Sequence, residues 1–206
     1  MYESLQQMQE ICETENKAFW ELVMEEEANE KQNSHEEVFE MMRSMYRAMV
    51  QADENYEDRR SASQMTGGAG ELMAKWNRDE KTLSGPFLGQ VMERALKMAE
   101  SNACMKRIVA APTAGSCGVV PAVFLSVQEE RGFSEECMVE ALYVAAGIGG
   151  VIANRAFLAG AAGGCQAEIG SASAMAAGGV TYLLGGGADE IANCLLYTSP
   201  SPRDTR

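Results

Sequence analysis

The stretch AAGGCQAEIGSASAMAAGG, residues 161–179, decides how this chain folds. Nearly all of its side chains are small, so none of them could fill a core alone. Each glycine inside a helix costs about 1 kcal/mol relative to alanine, and repeated glycines are typical of helices whose backbones approach closely. The stretch therefore predicts a tightly packed helix with one thiol, Cys165, set among residues that leave space beside it.

The rest of the second half follows the same pattern. A further helix is predicted after the capping residue Ser134, and it carries Gly147, Gly149 and Gly150. The segment LLGGGADE, residues 183–190, predicts the end of one helix and the start of the next. It is not a phosphate-binding P-loop, because no Lys-Ser/Thr pair follows it. Without strand-like alternation or a βαβ rhythm, the sequence predicts an all-α fold of packed Gly/Ala-rich helices.

The charged first 60 residues predict an N-terminal pair of helices. The first covers SLQQMQEICETENKAFWELVMEEE, residues 4–27, whose apolar residues form a helical stripe. The second begins at Ser34, where Glu37 completes a capping box. Three helices are predicted between the pair and the glycine-rich half: one over residues 71–76, one from about Pro86 to Ser101, and one that follows the loop 112–118 and ends at about Arg131. Residues 108–110 are predicted to be either a short strand or the end of a helix.

Composition narrows the class of protein. The chain has 206 residues, 46% of them hydrophobic, and a formal net charge of −13, so it has enough apolar residues for a core and should repel nucleic acid and anionic membranes. The acidic first residues do not resemble a signal peptide, which favours a cytoplasmic protein whose six cysteines are free or metal-bound thiols. The longest apolar run, Ala141–Ala153, is too short to span a bilayer.

Two loops are candidates for binding an anionic group. In APTAGSCG, residues 111–118, hydroxyls and backbone N–H groups precede a helix, and Gly115 allows close backbone approach; the alternative is an ordinary capping loop. SASQMTGG, residues 61–68, is a weaker candidate, for which a flexible hinge is the alternative. The candidate binding residues are Thr113, Ala114, Gly115 and Ser116 in the first loop, and Ser61, Ser63, Thr66, Gly67 and Gly68 in the second.

Cys165 is the candidate metal ligand. A lone cysteine among small residues is most often a small core residue, but the space beside it would also suit an iron–sulfur cluster, whose irons prefer thiolates. The only histidine, His35, lies in an acidic helical segment and favours a surface position. A general base must therefore be a lysine or a carboxylate, or come from another polypeptide.

The last twelve residues, LLYTSPSPRDTR, differ abruptly in composition from the rest. They resemble translated sequencing-adapter read-through, so residues 195–206 are expected to be a non-native tail on an incomplete domain of residues 1–194. The alternative is a disordered natural terminus.

Four motifs together resemble one family. SASQMTGGAGELMAKW, KTLSG, IVAAPTAGSCGVVPAVF and GGCQAEIGSASAMAAGG are similar in order to segments of the α chain of iron–sulfur-dependent L-serine ammonia-lyase, also called L-serine dehydratase. The resemblance covers residues 1–194 and implies a largely helical chain that pairs with a β chain in a hetero-oligomer. It further implies conversion of L-serine to pyruvate and ammonia with a [4Fe–4S] cluster, in amino-acid degradation and gluconeogenesis.

The resemblance also assigns residues. Cys165 matches a cluster ligand, residues 113–116 match the substrate loop, and residues 61–68 match a second active-site turn, although Ala62 and Gln64 depart from the family pattern. The family's two other cluster cysteines lie downstream of the point where the tail begins, and neither Cys117 nor Cys194 matches one. The chain alone is therefore expected to be inactive. The remaining cysteines, Cys12, Cys104 and Cys137, are expected to pack between helices.

The mechanism implied is a β-elimination. A cluster iron would act as a Lewis acid on the serine hydroxyl, residues 113–116 would hold the carboxylate, and a base on the β chain, a histidine by the family motif, would remove the α-proton. Three alternatives remain open: a related cluster-dependent lyase acting on cysteine or another amino acid, a pyridoxal-phosphate dehydratase, and a non-catalytic helical partner subunit. The pyridoxal-phosphate alternative is weak because the lysines Lys75, Lys81, Lys97 and Lys106 lie in no recognisable Schiff-base motif.

Overall fold

The computed structural model describes residues 2–79 and 83–198, and within these ranges it contains helices and no strand. The predicted all-α class is confirmed. Lys81 and Thr82 of KTLSG, and residues 199–206 of the expected tail, lie outside the described residues. The helices are α1 (Leu5–Glu15), α2 (Phe19–Lys31), α3 (His35–Glu54), α4 (Ala69–Arg78), α5 (Gly85–Ala103), α6 (Val119–Arg131), α7 (Glu135–Arg155), α8 (Gly160–Gly163), α9 (Cys165–Leu183) and α10 (Ala188–Thr198), with a 3-10 turn at Ala114–Ser116.

The N-terminal segment contains three helices, so the predicted pair is wrong in number. The single helix expected over residues 4–27 is divided at Asn16, which has the left-handed conformation (φ 54°) and donates its backbone N–H to the Cys12 carbonyl. Asparagine adopts this conformation more easily than most residues. The capping box of α3 is confirmed, because Ser34 Oγ accepts from the Glu37 N–H at 3.2 Å and Glu37 Oε2 accepts from the Ser34 N–H at 2.8 Å.

α7 is the central helix and packs against α2, α3 and α9. Its Tyr143 is fully buried and donates a hydrogen bond to the Val38 carbonyl at 2.7 Å. By length and composition α7 is also the one helix of the described chain that could cross a membrane, which the run Ala141–Ala153 alone did not suggest. Within the apolar 18-residue segment of α7, 56% is buried inside the protein, as in the core helix of a globular protein.

The glycines of α9 allow the close packing that the sequence predicts. A Cβ at Gly178 would collide with the side chain of Ile148 on α7, and one at Gly179 would collide with the ring of Phe124 on α6. The same atom at Gly179 would also lie 3.1 Å from the Ala141 carbonyl of α7. The second half of the chain is therefore a set of helices held together through glycine contacts.

α4 is longer than the predicted helix over residues 71–76, and Glu100 of α5 explains its earlier start. The buried Glu100 carboxylate accepts the Ala69 N–H at 2.6 Å, the Gly70 N–H at 3.3 Å and the Tyr56 hydroxyl at 2.7 Å. It thereby caps the N-terminus of α4 from another helix and holds the preceding loop against α5. Residues 108–110 form neither a strand nor a helix end, but irregular chain leading to the 3-10 turn.

Candidate functional site

The loop 113–116 meets the first turn of α9. The Thr113 hydroxyl donates to Glu168 Oε1 at 2.8 Å, across 55 residues of sequence. The Ser116 hydroxyl, which is buried, lies 3.2 Å from Thr113 Oγ1 and 3.3 Å from the Thr113 carbonyl. These contacts bring two of the motifs identified in the sequence to one place.

Two glycines make room for the Glu168 carboxylate. A Cβ at Gly115 would lie 2.6 Å from Glu168 Oε2, and a Cβ at Gly160 would lie 2.5 Å from the same oxygen. Real Cβ atoms do not approach so closely, so any other residue at either position would displace the carboxylate. The loop, the short helix α8 and α9 thus converge on Glu168.

Cys165 is the first residue of α9, one turn before Glu168. Residues three apart on a helix are neighbours on its surface, so the thiol and the carboxylate lie on the same face. Cys165 is exposed, as are residues 161–164 before it, whereas most of the later part of α9 is buried. The small residues around the thiol therefore leave it open to the surface, and bulky side chains do not enclose it.

The loop 113–116 also offers free backbone donors. Asn102 of α5 donates from Nδ2 to the Ala114 carbonyl at 3.0 Å and so fixes the outer side of the turn. The N–H groups of Ser116 and Cys117 are used within the turn, where they bond the carbonyls of Thr113 and Ala114. The N–H groups of Ala114 and Gly115 have no acceptor among the described residues, and both residues are exposed.

The second predicted loop, residues 61–68, is closed by its own hydrogen bonds. The Ser61 N–H donates to the Thr66 carbonyl at 2.8 Å, and the buried Ser61 hydroxyl lies 3.1 Å from Ser63 Oγ and accepts from the Thr66 N–H at 3.3 Å. Gly67 has a φ of 137°, and a Cβ there would lie 2.6 Å from the Arg59 carbonyl. Gly68, with a φ of 88°, is the residue before α4.

Both loops are attached to the C-terminal end of α5. Arg59, just before the second loop, donates to the Cys104 carbonyl at 3.2 Å, and the Cys104 thiol donates to the Arg59 carbonyl at 3.6 Å. Asn102, two residues earlier, binds the first loop. In the part of the chain that the structure describes, no hydrogen bond joins the two loops directly, and the hydrogen bond to Glu168 of α9 comes from the loop 113–116.

The other cysteines of the described chain do not form a metal-binding group with Cys165. Cys117 is buried with its thiol directed towards the Met98 carbonyl, and burial raises its pKa; the pKa of the buried Cys12 is raised for the same reason. Cys137 is half-buried in the first turn of α7, and its side chain packs against the core, as expected. Across residues 2–79 and 83–198, no three His, Cys, Asp or Glu residues are grouped so that they could hold a metal ion.

Glu168 is the residue that the sequence analysis missed. Its position three residues after Cys165 was the available signal, because that spacing places both on one helix face. Asn102 and Glu100 gave no comparable signal, since each acts through a partner distant in the sequence. His35 is exposed at the start of α3, in agreement with a surface position.

The comparisons with known proteins agree on one family. The model of the family described as "Serine dehydratase alpha chain" matches residues 14–198. The chain is 34% identical over 201 residues to "Probable L-serine dehydratase, alpha chain" of Bacillus subtilis, covering 96% of this chain and 66% of that protein. It is also 34% identical over 188 residues to "L-serine dehydratase, alpha chain" of Peptoniphilus asaccharolyticus, covering 90% and 64%.

A longer relative matches over a shorter region. The chain is 43% identical over 100 residues to "L-serine dehydratase TdcG" of Escherichia coli, covering 48% of this chain and 22% of that protein. The chain thus spans just under two thirds of the two alpha chains and a smaller part of this longer relative.

Proposed function

This chain belongs to the serine dehydratase alpha-chain family, and from that membership we propose that it is the α chain of an L-serine ammonia-lyase. The enzyme would eliminate water from L-serine, and the aminoacrylate released would hydrolyse to pyruvate and ammonia. Its relatives carry the name L-serine dehydratase, which supports this reaction and a role in amino-acid degradation.

The hydrogen bond from Thr113 to Glu168 is the observation that carries the proposal. It joins the loop that offers free N–H donors to the helix turn that carries an exposed thiol. A reaction on a small amino acid needs a group that binds the carboxylate beside a group that assists the leaving hydroxide. These two parts of the chain supply such a pair of positions.

We propose Cys165 as one ligand of a [4Fe–4S] cluster. The exposed thiol at a helix N-terminus, where negative charge is favoured, and the small residues before it fit that role. When bound, the cluster would supply a Lewis-acidic iron for the substrate hydroxyl. The other ligands would come from outside the described residues, because no three His, Cys, Asp or Glu residues are grouped there so that they could hold a metal ion.

The Ala114 and Gly115 N–H groups would bind the substrate carboxylate. Both donors are exposed and without an acceptor, and the Asn102 side chain holds the turn that presents them. The loop 61–68 would form another wall of the site, since it is attached to the same end of α5. The buried Ser61 hydroxyl serves to keep that loop closed.

The base and the remaining parts of the site would belong to a partner β chain. The described part of the contact region between the loop 113–116 and α9 includes no histidine, and His35 is on α3. Large apolar side chains are exposed on segments next to the site, with Met65 88%, Met105 93% and Phe157 73% exposed. Such exposure is typical of a surface that another chain covers, which supports a hetero-oligomer. We further propose that this oligomer is cytoplasmic and that this chain alone is inactive.

The test is an anaerobic assay of this chain assembled with its β chain and reconstituted with iron and sulfide. We expect pyruvate from L-serine and a much lower rate with L-threonine or L-cysteine. Faster release of pyruvate from L-cysteine than from L-serine would instead favour a related lyase that acts on cysteine. Absorbance typical of a pyridoxal aldimine in the active protein would contradict the cluster proposal. A well-folded assembly without any turnover would favour a non-catalytic partner subunit.

A further inference from the structure

Glu168 has one unused oxygen beside the proposed substrate position. Its Oε1 accepts the Thr113 hydroxyl at 2.8 Å, while Oε2 faces Gly115 and Gly160 and accepts no hydrogen bond from the described residues. The residue is half-buried, so water replaces the missing donors only in part. A carboxylate held in this way retains the capacity to bind a donor from a ligand.

Glu168 also has no cationic partner in the described chain. None of the ion pairs found there involves it. Arg59 and Arg155, which flank the site segments in sequence, are engaged elsewhere, since Arg59 binds the Cys104 carbonyl and Arg155 binds the Glu3 carbonyl at 2.7 Å. The chain as a whole carries a net charge of −13, which favours the approach of a cationic group.

We propose that Glu168 binds the α-ammonium group of the amino-acid substrate through Oε2. The inference rests on the proposed function and extends it, because it names the group that selects an amino acid over a simple hydroxy acid. The loop N–H groups of Ala114 and Gly115 would hold the carboxylate of the same molecule. The contacts with the ammonium group and the carboxylate, together with the cluster proposed at Cys165, would fix the orientation of the substrate α-carbon.

Thr113 sets the position of this carboxylate. Its hydroxyl has one proton, and that proton is donated to Glu168 Oε1, which leaves Oε2 directed towards the glycines. Gly115 and Gly160 then provide the space that the carboxylate needs. Thr113 therefore acts through Glu168 and is a positioning residue.

The test is Glu168→Gln in the assembled, cluster-containing enzyme. Glutamine keeps the size and can still accept the Thr113 hydrogen bond through its amide oxygen, but it removes the charge. The two probes are L-serine and 3-hydroxypropanoate, which has the same carboxylate and hydroxyl and lacks the amino group. We expect kcat/KM for L-serine to fall at least tenfold, while the inhibition constant of 3-hydroxypropanoate changes less than twofold.

Controls separate this role from a structural one. Glu190→Gln removes a carboxylate from the first turn of another helix, α10, and should leave both constants unchanged. Glu168→Asp keeps the charge and should retain part of the preference for L-serine. A proportional loss of affinity for both probes in Glu168→Gln, or no loss for either, would overturn the inference while leaving the proposed function intact.

A failure of the proposed function has a different signature. If the wild-type assembly does not turn over L-serine, that proposal is wrong, and direct calorimetric binding of the two probes then tests Glu168 alone. Stronger binding of L-serine than of 3-hydroxypropanoate by the wild type, abolished in Glu168→Gln, would support the inference. Equal binding of the two probes by the wild type, or binding of neither, would overturn it.

Discussion

The Thr113 side chain has a single hydroxyl proton to donate. The acceptor of that proton determines which donors of the loop 113–116 remain free for a substrate. The sequence analysis expected both the backbone N–H groups and the hydroxyls of this loop to bind the substrate carboxylate. In the structure the Thr113 proton is donated to Glu168, and the buried Ser116 hydroxyl is close to both Thr113 oxygens. The donors left for a substrate carboxylate are therefore the backbone N–H groups of Ala114 and Gly115.

Replacing Thr113 by valine tests this positioning. Valine has nearly the same shape but cannot donate, and a hydrogen bond to a charged group contributes about 1.5–3 kcal/mol. We expect kcat/KM for L-serine to fall by roughly 10- to 100-fold, since about 1.4 kcal/mol corresponds to tenfold. Thr113→Ser keeps the hydroxyl and should retain most of the activity. Equal steady-state constants for Thr113→Val and the wild type would contradict the positioning role.

The sequence identified most of the residues that now lie together. Cys165 and the loop 113–116 were found from local motifs, and the structure places the loop against the first turn of the helix that Cys165 begins. The spacing of Glu168 from Cys165 indicated a shared helix face, but the contact with Thr113, 55 residues away, had no local signal in the sequence. The role of Cys165 as a ligand remains a prediction.

The helix α9 has two different parts. Its first turn presents Cys165 and Glu168 at the surface, whereas Gly178 and Gly179 near its end press against α7 and α6. The close contacts at one end hold the helix in place, so the position of the first turn depends on packing about three turns away. Small residues therefore serve packing at one end of the helix and access at the other.

Two glycine-to-alanine variants of α9 distinguish these parts. In Gly179→Ala the new Cβ would collide with the buried Phe124 ring and crowd the Ala141 carbonyl, and overpacking of this kind costs about 1–3 kcal/mol. In Gly170→Ala nothing lies within 4 Å of the new atom, and alanine is favoured in helices by up to about 1 kcal/mol. Urea unfolding should show a lower free energy of unfolding for Gly179→Ala and an equal or higher one for Gly170→Ala. The same change in both variants would contradict the packing account.

Helix boundaries show where local sequence was insufficient. The caps at Ser34 and Ser134 were predicted and are confirmed, because their hydrogen bonds lie within four residues. The break at Asn16 was missed, since the apolar stripe continues across it. The start of α4 was missed because its cap, Glu100, comes from α5. Local contacts were predictable and tertiary ones were not.

Burial favours the protonated form of several tyrosines in the folded protein. Burial raises the pKa of Tyr2 to about 12, and burial together with a nearby glutamate raises the pKa of Tyr56 and Tyr182 above the usual range. The same direction holds for the fully buried Tyr143, mainly because of burial. The folded chain therefore holds these protons more tightly than the unfolded chain.

This difference predicts loss of stability in alkali. A group whose folded pKa is raised contributes its full stabilisation below the unfolded pKa, about 10 for tyrosine, and loses it as pH rises further. New tyrosinate charges also add to a net charge of −13. We expect the free energy of unfolding to fall above about pH 10, and tyrosinate absorbance to appear at a higher pH in native than in denatured protein. Coincident titrations of the two states would contradict this.

For the whole molecule, the fold class followed directly from composition and periodicity. Frequent glycine and alanine without strand alternation predicted packed helices, and the described residues form them. The open face around Cys165 did not follow, because sequence shows which residues are small and does not show whether neighbours cover them. That face is where we propose the cluster, the substrate and the partner chain to meet.

The most direct test of that proposal is the iron and sulfide content of anaerobically reconstituted enzyme carrying Cys165→Ser, measured together with L-serine turnover. Cys137→Ser, at a half-buried position on α7, is the matched control. We predict that Cys165→Ser loses bound iron, the visible absorbance of the cluster and turnover, while the control retains all three. Wild-type iron content and turnover in a folded Cys165→Ser enzyme would contradict the account.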